Sequence, residues 1–382
     1  MLPISALAEE TVETEETVIV SETSKSLKSQ SGTDGNISWV LDDSGTMTVT
    51  GTGAISLDNA CDYPWEDELL QSVSKLVIGE GITSIGEGAF SGGAYTSVTL
   101  PGTLKSIGVF AFEDCNNLTE VVIPDGVEIL KHGAFCGCSN LKKVVIPGSV
   151  KTIDARAFDS CTSLSDVTIG EGVETIGYWA FWGCAMTEIT VPSSVESLGG
   201  RVFECCENLT SVTLPESITT IPAGLFADCS SLTAVTIPTS VTSVESYAFI
   251  NCDSLKSVSF TGNCPAFADD SFEGVTTTCY YPASNSTWTG DKLQNYGGSV
   301  TWKLTGSNLN GVCKGADGSW YYYINGVIQE NYTGFQSNSN GKWYIENGKV
   351  TFAKNGVIQD TNGTIATKGT WSYVTGRKVQ TG

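Results

Sequence analysis

The central part of the chain repeats one pattern of apolar and polar positions. Its landmark is a phenylalanine that recurs every 22 or 23 residues: Phe90, Phe112, Phe135, Phe158, Phe181, Phe203, Phe226, Phe249 and Phe272. In one unit, Leu232-x-x-Val235-x-Ile237 alternates apolar and polar residues with a period of two, which predicts a short half-buried strand. Apolar residues at fixed offsets within a period of about 20 to 29 residues predict a solenoid, in which each coil buries its apolar face against its neighbours.

Each unit divides into two extended segments separated by a proline or a glycine. In the unit above, Pro238 follows Ile237 directly, and the first strand must end there because proline cannot donate to a ladder. Val241 and Val244 then predict a second short strand, and Ala248-Phe249 closes the unit. Nine such coils, stacked at about 4.8 Å, predict a parallel sheet about 40 Å long. Residues 75–275 are therefore predicted to form a repeat array.

The consensus of these units is Leu-x-x-Val-x-Ile-Pro-x-x-Val-x-x-Ile-x-x-x-Ala-Phe-x-x-Cys. It resembles the leucine-rich repeats of the BspA-like, or Treponema-type, family of bacterial surface proteins, and the resemblance covers all nine units. The resemblance implies a mainly β solenoid, a leucine-rich-repeat stack closed by a β cap at each end. For function it implies adhesion or surface binding, with partners that vary between family members.

The segment before the array is expected to hold a linker and a cap. Residues 1–31 begin with Ala6-Leu-Ala8, which resembles the end of a signal peptide, and continue with an acidic, Ser- and Thr-rich stretch. We interpret this stretch as a disordered linker, and an ordinary disordered start is the alternative for the first residues. Residues 32–74 alternate apolar and polar positions on both sides of the turn Asp42-Asp43-Ser44-Gly45, which predicts a hairpin that caps the array.

Two segments follow the array. Residues 276–304 lose the repeat but keep aromatic residues, and we interpret them as a C-terminal cap. In residues 305–382, the sequence from Trp320 to Gly326 is echoed from Trp343 to Gly348 and more loosely from Trp371. Asn-Gly between apolar runs predicts hairpins. This last segment is similar to the aromatic, glycine-rich wall-binding repeats of choline- and glucan-binding modules, which implies association with a cell-wall polymer.

Charge and hydropathy narrow the class of protein. The 42 acidic and 20 basic residues give a formal net charge of −22, so nucleic acid and anionic membranes are unfavourable partners. No apolar run reaches the roughly 18 to 20 residues that a transmembrane helix needs. A secreted protein at the bacterial cell surface is expected, without a cofactor.

Thirteen cysteines need an explanation in an exported chain. Seven of them stand three residues after a phenylalanine: Cys115, Cys138, Cys161, Cys184, Cys206, Cys229 and Cys252. Side chains that point the same way from successive coils do not favour a bridge, so these cysteines are predicted to be small buried thiols. Cys264 and Cys279, which bracket the end of the array, are the most favourable disulfide pair. No metal site is predicted, since no Cys-x-x-Cys pair exists and His132 is the single histidine.

Aromatic residues at outward positions of the array are candidate contacts for a partner. The candidates are Phe110, Tyr178, Trp179, Trp182 and Tyr247. Exposed aromatic residues on a rigid scaffold are natural anchors for a protein or a sugar. The alternative is that they pack sideways over neighbouring coils.

Two further sets of residues are candidates for binding. A charged row at the start of successive strands consists of Glu120, Lys143, Asp166 and Glu188. The candidate glycan- or wall-binding residues of the last segment are Trp320, Tyr322, Trp343, Tyr344, Trp371 and Tyr373. Aromatic faces stack on sugar rings or surround a quaternary ammonium, while the alternative is that these rings form the hairpin core.

No catalytic constellation is present, because nothing can be paired with His132 to form a nucleophile and base. The expected function is a secreted, wall-associated, non-enzymatic binding protein. Its array would present a surface to an extracellular protein or glycan, and its C-terminal repeats would hold it to the wall. A second hypothesis assigns carbohydrate recognition to the C-terminal module and treats the array as a rigid spacer. A third is an unrecognised glycoside hydrolase, which needs two acids in a cleft.

Overall fold

The protein is described by a computed structural model. It covers residues 29–56, 63, 65, 67–283 and 285–305, together with short strands of the C-terminal segment. The predicted signal-peptide remnant and most of the acidic linker lie outside the described residues. The described array is a β-solenoid, as the repeat pattern predicts. We number its coils one to nine by their phenylalanines, from Phe90 to Phe272.

The first strand of each coil joins a parallel wall, here the first wall. Its strands are Lys75–Ile78, Ser97–Thr99, Glu120–Val122, Lys143–Ile146, Asp166–Ile169, Glu188–Thr190, Ser211–Thr213, Ala234–Ile237 and Ser257–Phe260. Neighbouring strands pair in matching register, for example Val144 opposite Val167. The hydrogen-bonded ladder is interrupted after Ser97–Thr99 and after Asp166–Ile169. Each interruption borders a strand from a 22-residue coil, which has one residue fewer in the turn before that strand.

The second strands form a second parallel wall of shorter strands. They are Gly53–Ile55, Ile82–Ile85, Ser106–Ile107, Ile129–Leu130, Thr152–Ile153, Thr175–Ile176, Ser197–Leu198, Thr220–Ile221, Ser243–Val244 and Ala266–Phe267. This ladder is interrupted once among the described residues, between Ser197–Leu198 and Thr220–Ile221. In most coils, the second residue of the strand is the apolar one and is buried, so each strand contributes one core residue.

The phenylalanines form a continuous column inside the corner of the solenoid. All nine are fully buried at 0% exposure. Successive rings stack with centroids 5.1 to 6.2 Å apart. Trp65 extends the column beyond coil one, with its ring 5.1 Å from that of Phe90. We call this column the phenylalanine spine.

The backbone of the corner is built around the spine. In coil four, the residues two before and two after the phenylalanine, Arg156 and Ser160, have φ of 59° and 60°. The amide N–H groups of Arg156 and Ser160 donate to the carbonyl oxygens of Tyr178 and Trp182 in the next coil. Left-handed φ disfavours residues with a Cβ by about 1 to 2 kcal/mol, and the position two before the phenylalanine is a glycine in coils one, three and seven, as at Gly133.

The seven column cysteines are buried free thiols, as predicted. The structure adds a function that the sequence pattern did not indicate. Each thiol donates to the backbone carbonyl oxygen of the phenylalanine in the preceding coil, at 3.0 to 3.3 Å, as Cys161 does to Phe135. Cysteine therefore combines a small apolar volume with a weak donor where a carbonyl would otherwise lack a second partner.

The predicted disulfide between Cys264 and Cys279 is wrong, because both residues are free thiols. Cys279 lies in the first-wall ladder opposite Val258 and its side chain is fully buried in the core. Cys264 lies in the preceding turn, half-buried, with its Sγ against the carbonyl oxygen of Pro265. Closeness to the end of the array does not make the two side chains point at each other.

The N-terminal cap is the predicted hairpin with one additional strand. Its strands are Gln30–Asp34, Ile37–Leu41 and Thr46–Gly51, with antiparallel pairing throughout. Thr46–Gly51 then pairs in parallel with Lys75–Ile78 and so begins the first wall. Asp42 forms the turn, since its Oδ1 accepts from the amide N–H groups of Ser44 and Thr46. A four-residue helix, Asp67–Leu70, precedes the first coil.

The C-terminal cap continues the first wall by two more parallel strands, Thr276–Pro282 and Ser299–Thr305. The 3₁₀ turn Gly290–Lys292 lies between them. Trp288 and Trp302, with ring centroids 5.6 Å apart, belong to an aromatic cluster that covers the end of the core. An exposed end of the stack is thereby closed, as the composition of this segment predicts.

The described strands of the C-terminal segment are paired antiparallel in consecutive hairpins, as predicted. They are Gly311–Lys314, Trp320–Ile324, Val327–Ile328, Gly334–Asn338, Gly341–Glu346, Lys349–Val350, Gly356–Gln359, Trp371–Thr375 and Lys378–Gln380. Asn347 has a φ of 50°, which fits a tight turn between Glu346 and its partner Lys349.

Removing one ring from the spine tests its contribution to stability. We expect Phe158→Ala to lower the free energy of unfolding by about 3 to 5 kcal/mol, because it leaves a cavity between two stacked rings. Phe110→Ala is the matched control: its ring is half-buried on the surface, so the loss should be about 1 kcal/mol. Urea unfolding followed by circular dichroism measures both. Equal losses would contradict a spine that carries the stack.

Thiol chemistry tests the state of the cysteines. Burial raises the pKa of Cys206 and of Cys252 to about 12, so the reactive thiolate is disfavoured at about pH 8. We expect iodoacetamide to leave the column cysteines unmodified in the native protein and to modify them all in urea. Peptide mass mapping reads the result. The half-buried Cys264 should react earlier than the column, and failure of both Cys264 and Cys279 to react in urea without reductant would restore the disulfide.

Candidate functional site

Two rows of side chains project from the corner over the spine. They belong to the residues two before and one after each phenylalanine. In coils four, five and six these pairs are Arg156 and Asp159, Trp179 and Trp182, and Arg201 and Glu204. Together with Ser160 and Cys205 they line a groove of about 390 Å³ that is open to solvent. We call it the tryptophan groove.

Two ion pairs flank the tryptophans. Nε of Arg156 lies 3.7 Å from Oδ2 of Asp159, and a guanidinium nitrogen of Arg201 lies 2.5 Å from Oε1 of Glu204. Both carboxylates are nearly buried, Asp159 at 8% and Glu204 at 7% exposure, whereas the arginine side chains are partly exposed. A buried carboxylate needs such a partner. The groove therefore has balanced charges inside a strongly acidic protein.

Trp179 is held by three neighbours. Its indole Nε1 donates to Oε2 of Glu204 at 2.6 Å, and the guanidinium carbon of Arg156 lies 4.6 Å from the centroid of its ring. The ring of Tyr178 is 4.3 Å away and tilted. Trp179 thus links coils four, five and six, and its geometry agrees with the alternative that it packs sideways.

Trp182 differs from Trp179 in the contacts of its indole ring. Its side chain is half-buried, and within the described part of the chain its indole N–H has no hydrogen-bond partner. The backbone of Trp182 is fixed, since its carbonyl oxygen accepts from the amide of Ser160. An indole without a hydrogen-bond partner among the described residues, on a backbone that is held in place, is the part of this groove that can contact a ligand.

The other two aromatic candidates do not reach the groove. Phe110 lies over the next coil, where a Cβ on Gly133 would be 2.3 Å from its ring atoms, and it meets His132 edge-on at 5.1 Å. Tyr247 is 38% exposed but stands three coils away from Trp179 in the same row. The structure therefore brings together only three of the five predicted aromatics.

Sequence reasoning missed the charged half of the groove. The candidates chosen from the sequence at this corner are all aromatic, and they leave out Arg156, Asp159, Arg201 and Glu204. The signal is present when the units are aligned by their phenylalanines, because coils four and six both place an arginine two before and an acid one after. Three-residue spacing across the turn brings each pair into contact.

The predicted charged row is real but solvated. Glu120, Lys143 and Asp166 lie side by side in register, and Nζ of Lys143 is 2.9 Å from Oδ2 of Asp166 with both side chains about half exposed. A surface pair of this kind contributes about 0 to 1 kcal/mol. Glu188 lies across the interruption of the first wall, where Asp166 and Glu188 border an open depression.

That depression bears on the hydrolase hypothesis. Glycoside hydrolysis requires one carboxyl group kept protonated by an apolar enclosure near a second, ionised one. Asp166 and Glu188 are both exposed, so their surroundings lack that enclosure. The depression resembles a gap between two strands more than a catalytic cleft.

The C-terminal candidates are described in part. Trp320 and Tyr322 stand two residues apart on one strand, hence on one face, and both are half-buried. On the other face, Nζ of Lys349 lies 5.4 Å from the ring centroid of Tyr321. The side chains of the other four candidates lie outside the described part of the chain: Trp343, Tyr344, Trp371 and Tyr373.

Comparison with known families agrees with the fold. The family described as the BspA type leucine-rich repeat region matches residues 69–186 and 152–279, which together are more than half of the chain. The chain therefore belongs to the BspA-type leucine-rich repeat family. A second family, the choline-binding repeat, matches residues 309–329 and 331–351.

Several solved structures are similar to the chain at low sequence identity. A leucine-rich cell surface protein from Faecalibacterium prausnitzii is 20% identical over 73% of this chain and 96% of its own, with a TM-score of 0.35. A leucine-rich repeat protein from Eubacterium ventriosum is 22% identical over 77% of this chain and 100% of its own, with a TM-score of 0.34. The pneumococcal vaccine antigen PcpA is 16% identical over 72% of this chain and 98% of its own, with a TM-score of 0.35. No curated protein matches the chain.

These findings define a coarse function. BspA-type repeats and choline-binding repeats are typical of bacterial surface proteins and together fit a cell-surface binding protein. The choline-binding repeats suggest association with the cell wall. The family and the fold are those of surface proteins rather than of an enzyme family. In the described part of the chain, no helix is long and apolar enough to cross a membrane.

The network around Trp179 can be tested through Glu204. We expect Glu204→Ala to lower the free energy of unfolding by about 1 to 3 kcal/mol, because it leaves the Trp179 N–H and the Arg201 guanidinium without their partner. Glu207→Ala, at an exposed acid in the following turn, should change it by less than about 0.5 kcal/mol. Urea unfolding of the two variants decides, and similar values would show that the network adds nothing to stability.

Proposed function

We propose that the protein is a secreted, cell-surface-associated, non-enzymatic binding protein with an adhesin-like function. The array presents its surface to an extracellular protein or glycan, and the C-terminal repeats associate with the cell wall. The observation that carries the first half of this proposal is the tryptophan groove, where the half-buried indole of Trp182 lies beside Trp179, whose own indole is held by Glu204. Pre-organisation of this kind lowers the entropic cost of binding.

The C-terminal half of the proposal is supported by the match of residues 309–329 and 331–351 to choline-binding repeats. It is also supported by Trp320 and Tyr322, which share one strand face. Aromatic side chains favour both quaternary ammonium groups and sugar rings. The same observation favours a second candidate function, in which this module is the sole recognition element and the array is a rigid spacer.

A truncation separates the two candidates. The shortened chain should end at Thr305, since the strand Ser299–Thr305 closes the array and Leu304 is buried in it. Full-length and shortened proteins are each incubated with immobilised bacterial wall fragments and with immobilised extracellular matrix. We expect the shortened protein to lose at least about tenfold in wall retention, equivalent to 1.4 kcal/mol, while it keeps its binding to matrix.

Each result of the truncation is informative. Full retention on wall fragments by the shortened protein would contradict wall association through the C-terminal repeats. Loss of matrix binding in the shortened protein would favour the spacer function of the array. The control for an intact array is the unfolding midpoint. It should be the same in the shortened protein and in the full-length protein.

A further inference from the structure

We propose that the tryptophan groove is a glycan site, in which Trp182 stacks on the apolar face of a pyranose ring and the flanking ion pairs bind its hydroxyl groups. The ligand class is a neutral oligosaccharide. This inference rests on the proposed binding function and deepens it, because it assigns the ligand class and the residues.

The platform of the site is the indole of Trp182. Its ring is half-buried in the groove, and Trp179, the other indole, is already held by Arg156 and Glu204. One face of a pyranose carries axial C–H groups and is apolar, so it loses little on leaving water and gains contact with an aromatic face. A free indole beside a fixed one suits a flat, half-apolar ligand.

The rim of the site is polar and already oriented. The contacts to Asp159 and Glu204 use Nε of Arg156 and one terminal nitrogen of Arg201, whereas a guanidinium has five N–H donors. The remaining donors lie at the border of the groove beside carboxylates that are held in place. Sugar hydroxyl groups donate and accept at once, so a rim that alternates donors with acceptors satisfies them on both sides of the ring.

Charge and size select a neutral and small ligand. Two arginines and two carboxylates leave the groove without net charge, while the whole chain carries −22. That field repels an anionic glycan and leaves a neutral one unaffected. The volume of about 390 Å³ is close to the lower end of small-ligand sites, about 300 to 1,000 Å³.

A protein partner fits the groove less well. A stable protein interface buries about 800 Å² on each side around an apolar centre. On both sides of Trp182 the same row holds acids, Asp159 and Glu204, and both are nearly buried. The apolar surface of the groove therefore consists of the indoles of Trp179 and Trp182, an area that matches a short oligosaccharide better than a protein interface.

The test uses the full-length chain and three defined probes: maltotriose, cellotriose and the N-acetylglucosamine trimer. Saturation-transfer NMR measures binding with and without excess choline, the ligand class for which residues 309–329 and 331–351 match a repeat family, so that binding by these repeats is told apart from binding by the groove. At least one trisaccharide should bind the unaltered protein. Trp182→Ala should weaken it by about tenfold or more, as expected for loss of a central aromatic anchor, and Trp182→Phe should recover part of the affinity.

Tyr247→Ala is the matched control, because it removes an exposed aromatic from the same corner surface three coils away. Its affinity for the trisaccharide should equal that of the unaltered chain. Circular dichroism and the unfolding midpoint of each variant establish that the array is intact. Equal loss in Trp182→Ala and Tyr247→Ala would overturn the assignment of the groove.

The outcome also separates this inference from the proposed function. If no trisaccharide binds, but matrix binding is lost in Trp182→Ala and kept in Tyr247→Ala, the groove binds a protein and the glycan assignment is wrong while the binding function stands. If trisaccharide and matrix binding are both absent from the unaltered chain, the inference and the function of the array fail together. If Trp182→Ala binds trisaccharide as well as the unaltered chain, the groove is not the site.

Discussion

Each coil can bury its phenylalanine only between the phenylalanines of the two adjacent coils. The rings are fully buried and stacked at 5.1 to 6.2 Å, so no coil has an independent core. Stability is then a sum of interfaces between neighbours, and the two ends are the weak points. Both ends are closed with aromatic side chains: Trp65 stacks on the first ring, and Trp288 and Trp302 belong to a cluster at the other end. The stack needs caps because each terminal coil has a neighbouring coil on one side only.

The same constraint leaves the corner surface free to vary. Because the phenylalanine and the cysteine thiol fix the corner from inside, the residues two before and one after the phenylalanine can change without disturbing the core. The first of these positions has left-handed φ, which favours glycine by about 1 kcal/mol or more. Arg156, Trp179 and Arg201 occupy it in three successive coils. Their contacts with one another and with Asp159 and Glu204 offset that cost, and those contacts build the tryptophan groove.

The sequence predicts what depends on periodicity within one unit. Period-two alternation located the strands, and the fixed spacing of Phe158 and Cys161 placed both in the core. It does not predict what depends on the register between coils: the thiol-to-carbonyl bonds, the interruptions of the first wall, and the contact of Trp179 with Glu204, which are 25 positions apart in the chain. The error over Cys264 has the same origin, because spacing along the chain carries no information about the direction of a side chain that lies outside the repeat.

One missing residue connects the groove to the rest of the fold. Coil six has 22 residues, counted from Phe181 of coil five to its own Phe203, and these two rings are 6.2 Å apart, the widest step of the spine. The first wall is interrupted just before the strand of this coil. The other 22-residue coil keeps a 5.6 Å step, and there the fully buried Tyr95 packs edge-on against Phe90. In coil six the equivalent residue is Met186, which is also fully buried but adds no aromatic ring beside the spine. The groove lies over this step, because Trp179 and Trp182 come from coil five and Arg201 and Glu204 from coil six, so it is built across the widest interval between neighbouring rings of the spine.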